Sequence, residues 1–296
     1  MTRLSSSLGL LLATTLPITV HDANASWWSD WIAKTNRGVV LVGAGDIAAC
    51  YSPGDEYTAE LLDYIDGTVF TTGDNTYPIG SDVDFWSCYH PSWGRHKART
   101  RPAPGNHDYA IPGAPGYFNY FGAAAGPAGQ GYYSYDLGQW HIVVINSMLA
   151  QTNPGPQEAW LDADLSANPR PCTLAYWHHP RFSSGLHGNQ TQMQPVWEIL
   201  YRHNADVVVS GHDHSYERFA PQTPTGEADP VRGIRQFVVG TGGAFLYSFN
   251  NPQPNSEKRY NKWFGVIKLT LLPGDYRWDF VTFPGVSLDS GNGKCH

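Results

Sequence analysis

Asp206-Val207-Val208-Val209-Ser210-Gly211-His212-Asp213-His214 combines a β-branched run with a glycine and two histidines two residues apart. Three consecutive valines with no polar alternation read as a strand covered on both faces of a sheet. The strand ends at Gly211, and an extended backbone beyond it points both imidazoles into one crevice at the carboxyl edge of the sheet. Neutral imidazole is a common metal ligand. Alone, the stretch is equally consistent with an exposed polar loop that happens to hold two histidines.

Working outward, the same sentence recurs. Gly38 to Gly43 reads as a buried strand that ends at Gly45-Asp46. Thr68 to Thr72 is a second, followed by Gly73-Asp74-Asn75-Thr76-Tyr77. The extended Arg101-Pro102-Ala103-Pro104 leads into Gly105-Asn106-His107-Asp108, and Cys172 to Trp177 runs into His178-His179-Pro180. Helical spacing is expected from Thr58, as N-cap, to Ile65, over Val83–Lys97 with a break at Pro91, over Pro156–Ala167 with proline in the first turn, and over Gln192–His203. Tyr109 to Gly131, rich in Gly, Pro and aromatics, reads as a long ordered loop. Gly138-Gln139 is the turn of a hairpin from Tyr132 to Asn146, which makes His141 a strand residue with a structural role. A strand at 235–239 and a hairpin of 264–271 with 276–283 complete the set. Helices between the middle strands and hairpins later predict a mixed α/β sandwich. Gly240-Thr241-Gly242-Gly243 has no helical pattern after it, which removes a dinucleotide loop.

The 296 residues are 41% hydrophobic and 15% charged, with a net charge of -7. This suits a well-buried domain and disfavours polyanion partners, so no nucleic-acid binding is expected beyond nucleotides as substrates. Arg3, the short apolar run Leu8–Leu16 and Ala23-Asn24-Ala25 have the form of a secretory leader cleaved after Ala25, leaving 26–296 as a single catalytic domain with no membrane span. Export, to the extracellular space or a periplasm, agrees with four cysteines. Of their three pairings, Cys50 with Cys88 and Cys172 with Cys295 is the expected one, because the second ties the C-terminus to a strand start. No C-x-x-C favours cysteine as a metal ligand.

Asp46, Asp74, Asn106, His178, His212 and His214 each follow the carboxyl end of an expected strand, so they converge. Carboxylate mixed with imidazole suits Mn, Fe or Zn rather than Ca, and the donors are too many for one ion with open positions. Two ions sharing a carboxylate follow.

The order and spelling of these five motifs resemble the calcineurin-like metallophosphoesterases, and within them the purple acid phosphatases, across nearly all of the chain beyond the leader. Most of that superfamily has a histidine two residues after the first aspartate; here Ala48 stands there, and Tyr77 stands three after the second aspartate, as in the purple branch. The resemblance implies a four-layer αββα sandwich of two mixed β-sheets flanked by helices. It also implies a ferric ion on Asp46, Asp74, Tyr77 and His214, and a divalent Zn, Mn or Fe on Asp74 as bridge, Asn106, His178 and His212. His178 is preferred to His179 because the family's histidine lies two before the proline. The implied activity is hydrolysis of small phosphomonoesters by in-line attack of metal-bound hydroxide, with His107 and His187 as substrate-side histidines able to protonate the leaving group. A phosphodiesterase using the same centre and a non-catalytic phosphate- or metal-binding scaffold are the alternatives. Glu217 and Arg218 are expected to form an ion pair under the histidine loop. The oligomeric state is left open.

Overall fold

Val207 and Val209 turn into one apolar cluster and Val208 into another, so the valine run has protein on both sides. Burying each such side chain stabilises the fold by about 1.5–3 kcal/mol relative to exposure. The computed structural model that shows this describes residues 38–296 together with Met1; the expected leader and its cleavage site lie outside the described residues.

The first sheet contains β1 (Val39–Ala44), β2 (Thr68–Thr72), β3 (Thr100–Ala103), β11 (Gly265–Leu272), β12 (Asp275–Thr282) and β13 (Val286–Lys294), in the order β13-β12-β11-β1-β2-β3. The second contains β4 (Tyr133–Leu137), β5 (Trp140–Val144), β6 (Cys172–Tyr176), β7 (Val207–Ser210), β8 (Tyr216–Phe219), β9 (Arg235–Val239) and β10 (Ser256–Tyr260), in the order β10-β8-β9-β7-β6-β5-β4. Strands β1, β2 and β3 are parallel, as are β5, β6, β7 and β9, while the remaining ladders are antiparallel. Both sheets are therefore mixed, and the parallel strands of each deliver their carboxyl ends to one edge.

Side chains of both sheets meet in one core, with Leu41, Phe70 and Leu269 from the first and Ile142, Tyr176 and Val209 from the second. Helix α1 (Gly54–Tyr64) covers the first sheet, contributing Ala59, Leu61 and Leu62. On the outer face of the second sheet, α4 (Pro156–Ala167) and α5 (Gln194–Arg202) bury Leu161, Leu165, Val196, Trp197 and Leu200 against Val143, Ala175 and Val208. Helix, sheet, sheet, helix is the four-layer sandwich expected.

Two local expectations are corrected. Helix α1 begins at Gly54, so Thr58 is inside it; its Oγ1 donates to the Gly242 carbonyl instead of capping the helix. The expected loop after Tyr109 contains α2 (Pro115–Phe121) and a tight helical turn, Gly122–Ala125, because Tyr117, Tyr120 and Phe121 are buried. A further short helix, α3 (Ser147–Thr152), starts at Asn146, whose side chain accepts from the Met148 amide. The Val83–Lys97 region is helical in pieces, Asp82–Asp84, Phe85–Tyr89 and Trp93–Arg99, divided around Pro91.

Both expected disulfides are formed: Cys50–Cys88, and Cys172–Cys295, which joins the start of β6 to the residue after β13. His141 bonds to Asp136 and Asp164 within the second sheet's outer layer, a structural role as expected.

Candidate metal centre

Five of the six polar residues follow the ends of parallel strands: Asp46 after β1, Asp74 after β2, Asn106 after β3, His178 after β6 and His212 after β7. Backbone bonds tie these ends together, both within each sheet and between the two. Gly45 donates to the Val239 carbonyl, Asp46 to Gly73 and Gly211 to His178. Asp46, Asp74 and His212 occupy left-handed backbone, at φ of 59°, 49° and 70°. For residues with a Cβ this conformation costs on the order of 1–3 kcal/mol and persists only where the surroundings impose it. The close glycines are part of that imposition: a Cβ on Gly105 would stand 2.3 Å from Asp74 Oδ1, and one on Gly211 2.6 Å from Asp46 Oδ2.

All seven expected ligands come together. Tyr77 Oη lies 3.1 Å from Asp46 Oδ1, 3.2 Å from Asp74 Oδ2 and 3.1 Å from His214 Nε2. On the other side of Asp74, its Oδ2 is 3.3 Å from His178 Nε2, which is 2.9 Å from Asn106 Oδ1 and 3.1 Å from His212 Nδ1. Asp74 thus touches both halves. The first half is sealed, with Asp46, Asp74, Tyr77 and His214 all buried, whereas Asn106 and His212 are partly exposed. The second half is therefore the open one.

The outer nitrogens decide what the inner ones can do. His178 Nδ1 is 2.9 Å from the Thr72 carbonyl and His214 Nδ1 2.5 Å from the Phe245 carbonyl, so each Nδ1 carries a proton and donates. The inward Nε2 of a neutral ring is then an acceptor. Those acceptors face carboxylates and an amide oxygen at hydrogen-bond distance, an arrangement that needs a positive charge between the atoms. Without metal, protons would supply it: burial lowers the His178 pKa, but the Asp74 carboxylate outweighs burial and pushes it up to about 9. Burial raises Asp74, and the charge and hydrogen bond of His178 more than reverse this, holding it below the usual carboxylate range. His212 is pushed down by burial and the neighbouring His178. Burial and the two carboxylates raise the Tyr77 phenol well above its ordinary value, and only a strong cation in contact would make it a phenolate. Two carboxylates, a phenol, an amide oxygen and three imidazoles, two of them with acceptor faces fixed by backbone carbonyls, fit a pair of transition-metal ions.

Of the expected substrate-side histidines, His107 sits directly on the site. Its Nδ1 is 2.7 Å from the Pro78 carbonyl and its Nε2 4.0 Å from Asp74 Oδ2. His187 is exposed, with its ring stacked on His212 at 4.2 Å between centroids. Its backbone amide donates to Asp213, a buried carboxylate between the two histidines of the loop.

The expected Glu217–Arg218 ion pair is overturned. They are neighbours in β8, whose alternation sends them to opposite faces. Glu217 accepts from the Ser184 amide and hydroxyl, bracing the segment that carries His187, while Arg218 pairs with Asp289 and Glu257. Sequence reasoning also missed Tyr247, whose ring stacks on His214 at 4.1 Å, and gave no role to His179. His179 has ligand atoms within 4.8 Å of those of His178 and His212, yet its Nδ1 is engaged by Ser147 Oγ. Burial lowers its pKa to about 3, which keeps it a neutral support behind His212.

A metal-type donor cluster at the shared carboxyl edge of an αββα sandwich defines a class. The chain belongs to the family described as Calcineurin-like phosphoesterase, whose profile matches residues 22–216. Within it the similarity is to purple acid phosphatases. Purple acid phosphatase 23 of Arabidopsis thaliana is 31% identical over 197 residues, 53% of this chain and 43% of the relative. Purple acid phosphatase 21 of the same plant is 34% identical over 151 residues, 48% of this chain and 34% of the relative. The fold is shared with the purple acid phosphatase PPD1 from yellow lupin seeds, at a TM-score of 0.68 and 20% identity, covering 86% of this chain and 53% of the lupin chain. The chain thus spans less than half the length of these curated relatives. Among the described residues no helix is long and apolar enough to cross a membrane.

Proposed function

We propose that this chain is a secreted phosphomonoesterase of the acid-phosphatase kind, a single catalytic domain over 26–296 working with two metal ions. The observation that carries the reading is the set of inward acceptor atoms around Asp74, held there by proton-donating outer nitrogens on Thr72 and Phe245 carbonyls. Asp46, Asp74, Tyr77 and His214 would hold a ferric ion, and Asp74, Asn106, His178 and His212 a divalent one, zinc, manganese or ferrous iron. When bound, such a pair supplies Lewis acidity that lowers the pKa of water and neutralises phosphate oxygens.

The chain's own residues do the rest. Asn106 and His212 border the open half, so a phosphate ester enters there. His107, turned by the Pro78 carbonyl so that Nε2 faces the pocket, protonates the departing ester oxygen. His187, above His212, is the second group able to do so. The positive centre concentrates a small anion that the acidic surface would otherwise repel. The two disulfides, with the leader expected from the sequence, support an oxidising, extracytoplasmic setting.

The test combines elemental analysis, the visible spectrum and kinetics on the purified protein. The expected result is iron plus a divalent ion, a visible charge-transfer band that Tyr77→Phe removes, and higher kcat/KM on p-nitrophenyl phosphate than on its bis ester. Full activity in metal-free protein, or preference for the bis ester, overturns the reading.

A further inference from the structure

Three aromatic residues that the mechanism leaves unused lie on the His214 side of the site: Tyr247 stacks on His214, the Phe245 carbonyl accepts from His214 Nδ1, and Tyr51 stacks on Phe245. Ala49, Tyr77 and Ala244 form a small apolar cluster behind the candidate ligand Tyr77. The chain leaves that cluster outward at two points, two residues on at Tyr51 and one residue on at Phe245. The two rings then meet, stacked at 5.2 Å between centroids and 23° between planes, yet 60% and 59% of their surface is exposed. Stacking of this kind inside the protein looks different: Tyr216 and Phe280 stack at 3.9 Å with both residues buried. An exposed pair gains little from its own packing and leaves apolar ring surface in water, which marks a surface made to be covered.

The pair is also held in place. Ser52 Oγ donates to the Gly243 carbonyl at 2.7 Å, joining the two segments. Cys50 is tied to Cys88, and the Phe245 carbonyl accepts from His214 Nδ1. A rigid platform loses little entropy when a ligand settles on it. Tyr247, whose ring lies on His214, continues the aromatic surface towards His187.

We propose that Tyr51 and Phe245 determine specificity by stacking against a planar aromatic leaving group of the phosphomonoester, a nucleobase or an aryl ring. This rests on the reading of the site as a phosphomonoesterase. Aromatic faces bind π-systems irrespective of their substituents, so a planar ring carried by a phosphate at the centre gains a contact there that an aliphatic group does not.

The experiment measures kcat/KM for the metal-loaded enzyme and its Tyr51→Ala and Tyr51→Phe variants on adenosine 5′-monophosphate, phenyl phosphate and glycerol 2-phosphate. Tyr51→Ala is expected to lower the aromatic substrates about 10-fold. Glycerol 2-phosphate should be unaffected and Tyr51→Phe close to the parent. A loss on the nucleotide alone assigns the platform to nucleobases, a loss on phenyl phosphate as well to planar rings in general, and both support it. An equal loss on all three, or none on any, overturns it. If the parent enzyme hydrolyses no ester, the proposed function fails on its own. Calorimetry then reads the platform, since adenosine 5′-monophosphate should bind more tightly than inorganic phosphate and lose that advantage in Tyr51→Ala. Equal affinities in the parent sink the inference.

Discussion

Two histidine–carboxylate clusters in this molecule differ in what they leave unanswered. Around His141, each ring nitrogen has its own carboxylate, Asp136 at 3.1 Å and Asp164 at 2.7 Å, and Arg170 adds a further charge on Asp136. Every partner there is matched by an opposite one. At the sheet edge, His178 and His214 instead spend their outer nitrogen on a backbone carbonyl and turn the inner one towards other acceptors. The same residue types make a closed ion network in one place and a cation-seeking site in the other. The direction of one N–H separates them.

The largest effect that could break this contrast comes from Asp74→Asn. If Asp74 joins both halves of the centre, bound metal and turnover should both fall to background, as read by elemental analysis and phosphatase assay. Retention of both ions would show that it is a neighbour and not the bridge. Next is His107→Ala, expected to slow turnover by about 10²–10⁴-fold while metal content stays unchanged. Loss of metal would make His107 a ligand and enlarge the centre.

The smallest effect lies in the closed network. Asp164→Asn should leave kcat/KM unchanged and cost about 1.5–3 kcal/mol of stability. Its pH dependence has a definite sign. Burial lowers the His141 pKa, but the hydrogen bonds to Asp164 and Asp136 outweigh it and raise it above 6.5. A raised folded value gives stability that is complete below about pH 6.5 and fades as pH rises through that value. Denaturation of parent and variant at pH 5.5 and pH 9 checks it: the gap between them should narrow at the higher pH, and a gap that widens would contradict the assignment.

How much could be read beforehand follows the same physics. The strands β1, β2, β6 and β7 were legible because a strand covered on both faces leaves no polar alternation, and the candidate ligands Asp46, Asp74, His178 and His212 because each stands two residues past such a run. Strands β10 and β13 were not. Each is an edge strand, Ser-Glu-Lys-Arg-Tyr in one case and a Ser, Asp, Gly and Asn-rich run in the other. Charged, weakly apolar edges discourage pairing with other chains and so carry little strand signal. Helix α2 was hidden because its aromatic face follows a Pro/Gly-rich approach. Tyr247 could not be placed from sequence either. It has no motif around it, and the bond from its amide to the His214 carbonyl, 3.0 Å, brings it to the site from 33 residues further along the chain.

The Cys172–Cys295 bond has a mechanical consequence. It crosses between the two sheets at the amino end of β6, about 20 Å along the strand from His178 beyond its other end. The sandwich is therefore riveted covalently at its floor, while its rim is joined by backbone hydrogen bonds such as those from Gly45 to the Val239 carbonyl and from Gly242 to the Gly45 carbonyl. Breaking the hydrogen-bonded rim alone leaves the two layers in register at the floor, and the polypeptide's tail cannot peel away first.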